Sequence, residues 1–341
     1  MAIDLLHGTI EMAHGSGGRA GSDLIEQVFL KAFNNPHLNL KNDQAVLQLA
    51  GQRIAMATDS HVISPLFFPG GNIGSLSVFG TVNDISMSGA QALYLSAGFI
   101  LEEGFPLANL TRIVDSMADA ARECGVQIVT GDTKVVERGL ADGCYINTTG
   151  LGIVPDGIEL SPEKICAGDK IILSGTIGDH GTCILAQRQH LNLETTLLSD
   201  TQSLHDLVAT MIASKINIRC MRDPTRGGLA AILNELTQIS GHSFQLDEAA
   251  IPVKPEVSAC SELLGLDPLY IANEGKLVTF CPADQAQSLL EIMQAHPKGH
   301  DSAIIGEVID KDKRPVVELV TGFGGKRIVD WRYADPLPRI C

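Results

Sequence analysis

Apolar positions repeat with a helical period most clearly in "LANLTRIVDSMADAARECG". There Leu110, Ile113, Val114, Met117 and Ala121 line one face, and Gly125 stops the run. The same spacing predicts a helix from Ser22 to Phe33, with Leu24, Ile25, Val28 and Phe29 on one side and an Asp23/Glu26 capping box. "SLSVFGTVNDISMSGA" reads as a mostly apolar helix with Asn83 and Asp84 inside it. "RDPTRGGLAAILNELTQISG" predicts a helix with Asp223 at the N-cap, Pro224 at the first helical position, and Leu229, Ile232, Leu233 and Leu236 facing inward. Strands are predicted in "QRIAMATDSHVI", "VQIVTGDTK", "CYINTTGLGIV", "GKLVTFCP" and "AIIGEVID", and "GDKIILSGTIGDHG" reads as a strand followed by a glycine-rich turn.

The pattern restarts at Pro155, which places a domain boundary in "IVPDGIE", near 153–158. Strands and helices alternate irregularly, with Gly-rich loops at strand ends. The expected fold is α+β in two halves rather than one doubly wound sheet. A chain of 341 residues, 45% of them hydrophobic, is long for one core and comfortable for two. Thirty-four glycines against 4% aromatics point to many tight turns and close backbone approaches.

Charge narrows the function. A formal net charge of −15 argues against a nucleic-acid or anionic-membrane surface, which needs clustered Lys and Arg, and it leaves carboxylates available for metal ions. "MAIDLLHGTI" carries no basic leader, and no run approaches a membrane span. The eight cysteines are scattered without zinc spacing, so reduced thiols in a cytoplasm are expected, most of them small core residues.

Three features carry candidate chemistry. No Walker A motif is present, because Gly275-Lys276 and Gly325-Lys326 lack its flanking residues. "HGSGGRAGSD" offers Gly15, Gly17 and Ala20 before a helix, which is either a cover for phosphates or an ordinary turn, and "FFPGGNIG" is open to the same two readings. Asp43, Asp59, Asp84, Asp132 and Asp223 each sit among small residues beside an apolar element. Singly each reads as a cap or turn; as a set they suit Mg²⁺ carried with a nucleotide triphosphate. Lys134 and Glu274, at the ends of apolar strands, serve either as acid, base or phosphate clamp, or as surface ions. The last stretch, "TGFGGKRIVDWRYADPLPRIC", reads as a Gly hinge (Gly322, Gly324, Gly325), an aromatic anchor (Trp331, Tyr333) and a stiff stem (Pro336, Pro338) ending on Cys341. Such an arm reaches about 30 Å from Trp331. The plain alternative is an idle chain end.

"AHGSGG", "TDSHVISPLFFPGGNIG", "TVNDI", "VTGDTKVV", "GDHG", "RDPTRGG", "ANEGKLV" and the terminal "PRIC", in this order along the chain, resemble the HypE family of hydrogenase maturation factors. The Asp-bearing motifs alone indicate only the wider superfamily of aminoimidazole ribonucleotide synthetase, selenophosphate synthetase and thiamine monophosphate kinase. The resemblance implies an α+β fold with an ATP-binding N-terminal domain (1–154) that pairs into a dimeric β-barrel flanked by helices. A C-terminal α+β domain (155–320) and a flexible tail (321–341) follow. It implies ATP and Mg²⁺ as cofactors. Nucleotide contacts would come from His14, Gly15, Gly17, Gly18, Asp59, Asn72, Asn83 and Thr133, metal contacts from Asp43, Asp84, Asp132 and Asp223, and catalysis from Cys341, Lys134 and Glu274. The implied partners are a second copy, the carbamoyltransferase HypF, and an iron scaffold of HypC and HypD. The implied reaction is ATP-dependent dehydration of a carbamoyl group on Cys341 to a thiocyanate, which supplies cyanide to nickel–iron hydrogenase. A small-molecule kinase or amidine-forming synthetase of the superfamily, a pure thiol carrier and a Rossmann-type module are the alternatives.

Overall fold

The computed structural model describes residues 7, 9–15, 18–33, 35–42, 44–188, 196–311, 314–333, 337 and 339–341, apart from the side chains at 38 and 311. The chain begins with α1 (Arg19–Leu24), which runs through a π-helical stretch (Ile25–Leu30) into α2 (Lys31–Phe33). The helix therefore starts three residues before the predicted Ser22. Asp23 and Glu26 do not cap it. The Arg19 and Ala20 amides donate instead to the carbonyls of Arg332 and Tyr333, near the other end of the chain. A Cβ on Gly18 would lie 2.8 Å from both carbonyl oxygens, so only glycine admits this contact.

The N-terminal domain is a five-stranded sheet: β1 (Ala45–Leu49), β2 (Gln52–His61), β5 (Gln91–Glu102), β6 (Gln127–Val136) and β7 (Cys144–Ile153), in the order β1-β2-β7-β5-β6. Between β2 and β5 lie a two-residue ribbon, β3 (Phe67–Phe68) and β4 (Gly71–Asn72), and the helix α3 (Ile73–Ser86). α4 (Leu107–Cys124) links β5 to β6 and stops at Gly125, φ +66°, as predicted. α3 buries twelve of its residues because the sheet covers one side and α4 and the C-terminal domain the other; an all-round apolar helix needs such a position. The opposite face of the sheet is open. On it Met56, Leu151 and Tyr94 form a cross-strand row, each 41–46% exposed, and β6 is an unpaired edge. One chain thus forms an open sheet and not a closed barrel.

The C-terminal domain has seven strands: β8 (Lys170–Leu173), β9 (Cys220–Arg222), β10 (His242–Asp247), β11 (Val278–Cys281), β12 (Ala303–Lys311), β13 (Val317–Val320) and β14 (Lys326–Val329). Their order is β14-β13-β10-β12-β8-β11-β9. α7 (Gly228–Ser240) packs on one face, around Phe244, Phe280 and Leu233. α6 (His205–Ala213) and α9 (Ala283–Ala295) cover the other around Ile172 and Met293. α5 (Asp179–Arg188) and α8 (Pro255–Leu264) flank the domain interface.

Two predicted features move. α7 starts at Gly228 rather than at Asp223, because Gly227 and Gly228 adopt φ of +76° and +62° and break the helix; Asp223 lies in the preceding loop. Gly322, Gly324 and Gly325 are not a hinge of the tail. They form the turn between β13 and β14, closed by Thr321 N–H to Gly325 O, so the C-terminal sheet extends to Val329. Pro336 and Pro338 fall outside the described residues.

Candidate active site

Glu274 lies between η-type turns and β11, in the stretch "NEGK", and is 4% exposed. Its main chain is pinned: the Glu274 amide donates to Asp200 Oδ1 at 3.1 Å, and Lys276 Nζ to Asp200 Oδ2 at 3.1 Å. Gly275 makes this possible, since a Cβ there would fall 2.0 Å from the Asp200 carbonyl oxygen. Glu274 Oε1 has no hydrogen-bond partner. Burial, then the charges of Asp200, Asp223 and Asp59, push its carboxyl well above the usual carboxylate range. The site therefore favours the protonated, neutral form of Glu274.

Arg226, in the loop ahead of α7, is the cation of this site. Cys341 most strongly, then Asp59, Glu274 and Asp84, raise its pKa against the effect of burial. Its guanidinium is ringed by protein yet open to a cavity of about 740 Å³, and it donates to the Gly15 carbonyl at 3.0 Å. Lys41, Arg222, His14, Gly15 and Gly18 line the same cavity. Its volume suits a cofactor-sized ligand; Asp23, Glu26, Glu235 and Asp330 line it as well, and Lys41 pairs with Glu26, so its lining is mixed in charge.

Cys341 reaches this region because the last residues dock. Val62 N–H donates to Cys341 O at 2.9 Å and Ser64 N–H to Arg339 O at 3.4 Å, while Arg339 Nε returns a bond to Val62 O at 3.0 Å. Arg188 donates to the Ser64 carbonyl at 2.5 Å and also to that of Arg339. Ile340 and Leu337 are buried in the N-terminal core, and Cys341 packs against that core.

The expected site residues divide accordingly. Asp59, Asp84, Glu274 and Cys341 act on Arg226 through their charges, Asp223 acts on Glu274, and His14, Gly15 and Gly18 line the cavity. Asp43 and Gly17 lie outside the described residues. Asn72 is not a free nucleotide contact: its Oδ1 caps α3 through Gly74 and Ser75, and its Nδ2 bonds Ser116 at 2.7 Å. Asn83 is a stitch between domains, donating to Gln202 O and accepting from Leu204 N–H. Asp132, Thr133 and Lys134 sit on edge strand β6. Asp132 and Lys134 are in register with Gly98 and Ile100 on the open face, away from Asp59, which pairs with Thr148 on the helix side. There Lys134 Nζ binds Asp132 Oδ2 at 2.7 Å, and that hydrogen bond holds Asp132 below the usual carboxylate range. Within one chain, then, the carboxylates do not form a single cage, and among the described residues no group of three metal-capable side chains is gathered. Arg226, Arg188 and His180 were not singled out from the sequence. The only signal for Arg226 was an arginine in a glycine-rich loop directly after a strand.

The two halves of this architecture match AIR synthase related proteins, the N-terminal domain model over residues 41–154 and the C-terminal domain model over 167–318. The chain is a protein of that two-domain class. Within the class, it belongs to the HypE family of carbamoyl dehydratases. It is 59% identical over 339 residues to the carbamoyl dehydratase HypE of Azotobacter vinelandii, covering 99% of each chain. A HypE–HypF complex gives a TM-score of 0.86 at 46% identity, covering 91% of this chain and 99% of that one. The hydrogenase maturation protein HypE in complex with ATP gives 0.82 at 46% identity, covering 98% and 100%. This membership sets aside the kinase, amidine-forming synthetase, pure carrier and Rossmann alternatives.

Proposed function

We propose that this chain carries a carbamoyl group as a thiocarboxamide on Cys341 and uses ATP to dehydrate it to a thiocyanate. The observation that carries the reading is the docking of the Cys341 main chain on Val62, which brings the last residue within electrostatic reach of the Arg226 on which Asp59, Glu274 and Asp84 also act. Amide oxygen leaves poorly. Its attack on the γ-phosphorus of ATP releases ADP and, as one N–H proton passes to solvent water, leaves an imidoyl phosphate; C–O cleavage then expels phosphate as C≡N closes. Glu274, held neutral, gives its proton to the departing phosphoryl oxygen and takes the remaining nitrogen proton, ending as it began. Arg226 holds the negative charge that builds on the phosphate.

The cavity beside Arg226, lined by His14, Gly15, Gly18, Lys41 and Arg222, fits ATP by size, with Arg226 the group placed to meet its phosphates. Among the described residues no three metal-capable side chains gather, and an Mg²⁺ ion carried with ATP, which keeps most of its waters and phosphate ligands, needs only one or two carboxylates. Asp84 and Asp223 would hold it, with Asp59 near, and it would offset charge between the phosphates.

A second copy packing on the open sheet face would cover the Met56–Leu151–Tyr94 row and the β6 edge, closing the two sheets into a barrel. Asp132, Thr133 and Lys134 would then lie at the boundary between copies. HypF as carbamoyl donor and a HypC–HypD iron complex as cyanide acceptor complete the sequence, in a cytoplasm. Among the described residues no helix is long and apolar enough to cross a membrane.

Intact mass is the test. After incubation with the carbamoyl donor system, Cys341 gains a carbamoyl group, and on addition of Mg–ATP it loses one water. Cys341→Ala blocks both steps and leaves ATP binding unchanged. ATP-dependent water loss on another cysteine overturns the assignment.

A further inference from the structure

His180, in the "GDHG" stretch at the start of α5, has no part in the chemistry above, yet it is fully buried and touches the docked arm. Its Nε2 lies 2.7 Å from the Ile340 carbonyl oxygen, and its Nδ1 lies 2.7 Å from Ser199 Oγ. A carbonyl oxygen only accepts, so Nε2 carries a proton. The neutral ring then accepts at Nδ1, and the Ser199 hydroxyl donates to it. Ser199 Oγ accepts in turn from the Thr201 amide at 3.1 Å, and the Thr201 hydroxyl, 2.6 Å away, completes the chain. Every proton in this chain has one consistent place. Burial lowers the pKa of the imidazole and favours that neutral form. Phe68 stands edge-on to the ring at a centroid distance of 5.6 Å and fixes its plane.

We propose that His180, locked in its Nε2–H tautomer by Ser199 and Thr201, is the positioning residue that seats the C-terminal arm by its main chain one residue before Cys341. Reading a carbonyl rather than the thiol lets the same seat hold the arm with a free thiol, a carbamoyl group or a thiocyanate. The seat is also tied to the acid. Ser199 is followed by Asp200, which pins the Glu274 amide and Lys276, and Gln202 and Leu204 bond Asn83 beside Asp84. One segment, 199–204, thus sets the register of arm, Glu274 and α3 together.

The proposal rests on the dehydration reading for its purpose but not for its test. Alkylation of Cys341 by iodoacetamide, followed at the peptide level by mass spectrometry on the full-length protein, reports how long the arm stays seated. His180→Ala raises that rate about tenfold, as expected for loss of one buried hydrogen bond. ATP affinity and the alkylation of exposed Cys166 stay unchanged. His180→Gln, which keeps a donor, restores most of the protection, and Ser199→Ala, which frees the tautomer, gives an intermediate rate. In ¹⁵N spectra of the wild type the His180 ring shows a protonated Nε2 and an unprotonated Nδ1. Wild-type alkylation rates in a folded His180→Ala or Ser199→Ala protein, or the opposite tautomer, overturn the proposal. A wild type that fails to dehydrate its carbamoyl group overturns the function reading and leaves the alkylation result standing.

Discussion

A carboxyl whose folded pKa is raised binds a proton that the unfolded chain releases, so its contribution to stability is present below about pH 4.5 and is lost as pH rises through the folded value. Glu274 is such a group, pushed up by burial and by Asp200, Asp223 and Asp59. Glu274→Gln stays neutral at every pH. Without nucleotide, the thermal midpoint of the Gln variant should gain on wild type between pH 5 and pH 8, with the gap widening by at most about 1.4 kcal/mol per pH unit. Parallel curves for the two proteins would mean that Glu274 is not held neutral. Glu274, Asp59, Asp84 and Asp223 were singled out in the sequence as a set of carboxylates among small residues beside apolar elements, and the fold brings their charges to bear on Glu274 and Arg226. Asn72 and Asn83 hold intramolecular partners that the sequence did not signal: a buried amide that caps a helix or stitches a loop looks, in sequence, like one that binds a ligand. His180 was illegible as an arm contact because its partner is a main-chain carbonyl 160 residues away, which leaves no mark on residue type.

Among the elements, α1 shows how a terminus is fixed from a distance. Its first amides are satisfied by the Arg332 and Tyr333 carbonyls, and Arg332 also stacks its guanidinium 3.9 Å from the Tyr270 ring centroid. Gly18 is the point of closest approach. Gly18→Ala should therefore separate α1 from the segment leading to the arm, at a cost of about 1–3 kcal/mol. The measurement is limited proteolysis near residues 18–33 together with the thermal midpoint; unchanged cleavage and midpoint would show that the contact is dispensable. The predicted α4 held at its glycine stop and at Ile113, Met117 and Ala121, which are buried on the side that meets α3, whereas Val114 is 43% exposed and Ala120 and Cys124 take its place. Prediction failed where long-range contacts decide: the start of α1 answers to the chain's other end, the start of α7 to two left-handed glycines, and the supposed Gly hinge to strand pairing of β13 with β14. Turn glycines and hinge glycines have the same composition, and only register separates them.

For the whole molecule, two domains were readable from length and from the restart at Pro155, while the C-terminal sheet's separate core on each face, and the placing of Asp59 and Asp132 on opposite faces of the N-terminal sheet, were not. A strand alternates its side chains with period two, so Asp59 on β2 and Asp132 on β6 have opposite exposures only through pairing across β7 and β5. Lys134 therefore points from the face that carries the exposed Met56–Leu151–Tyr94 row, while Glu274 and Cys341 sit on the other side. If a second copy covers that row and Lys134 serves catalysis, it does so across the boundary, in the site of the other copy. Subunit mixing tests this. Lys134→Ala and Glu274→Ala proteins are each expected to load carbamoyl on Cys341 and to stall there. Unfolded and refolded together in equal amounts, half of the random dimers are mixed. Each mixed dimer contains one site with an intact Glu274 from one copy and an intact Lys134 from the other. Dehydration should return to about a quarter of the wild-type level, read as water loss on Cys341 of the Lys134→Ala chain alone, which uniform ¹⁵N labelling of that chain distinguishes by mass. Recovery on neither chain, with mixed dimers demonstrated, would place Lys134 outside the partner's site; full-rate dehydration by the Lys134→Ala protein unmixed would remove it from the mechanism.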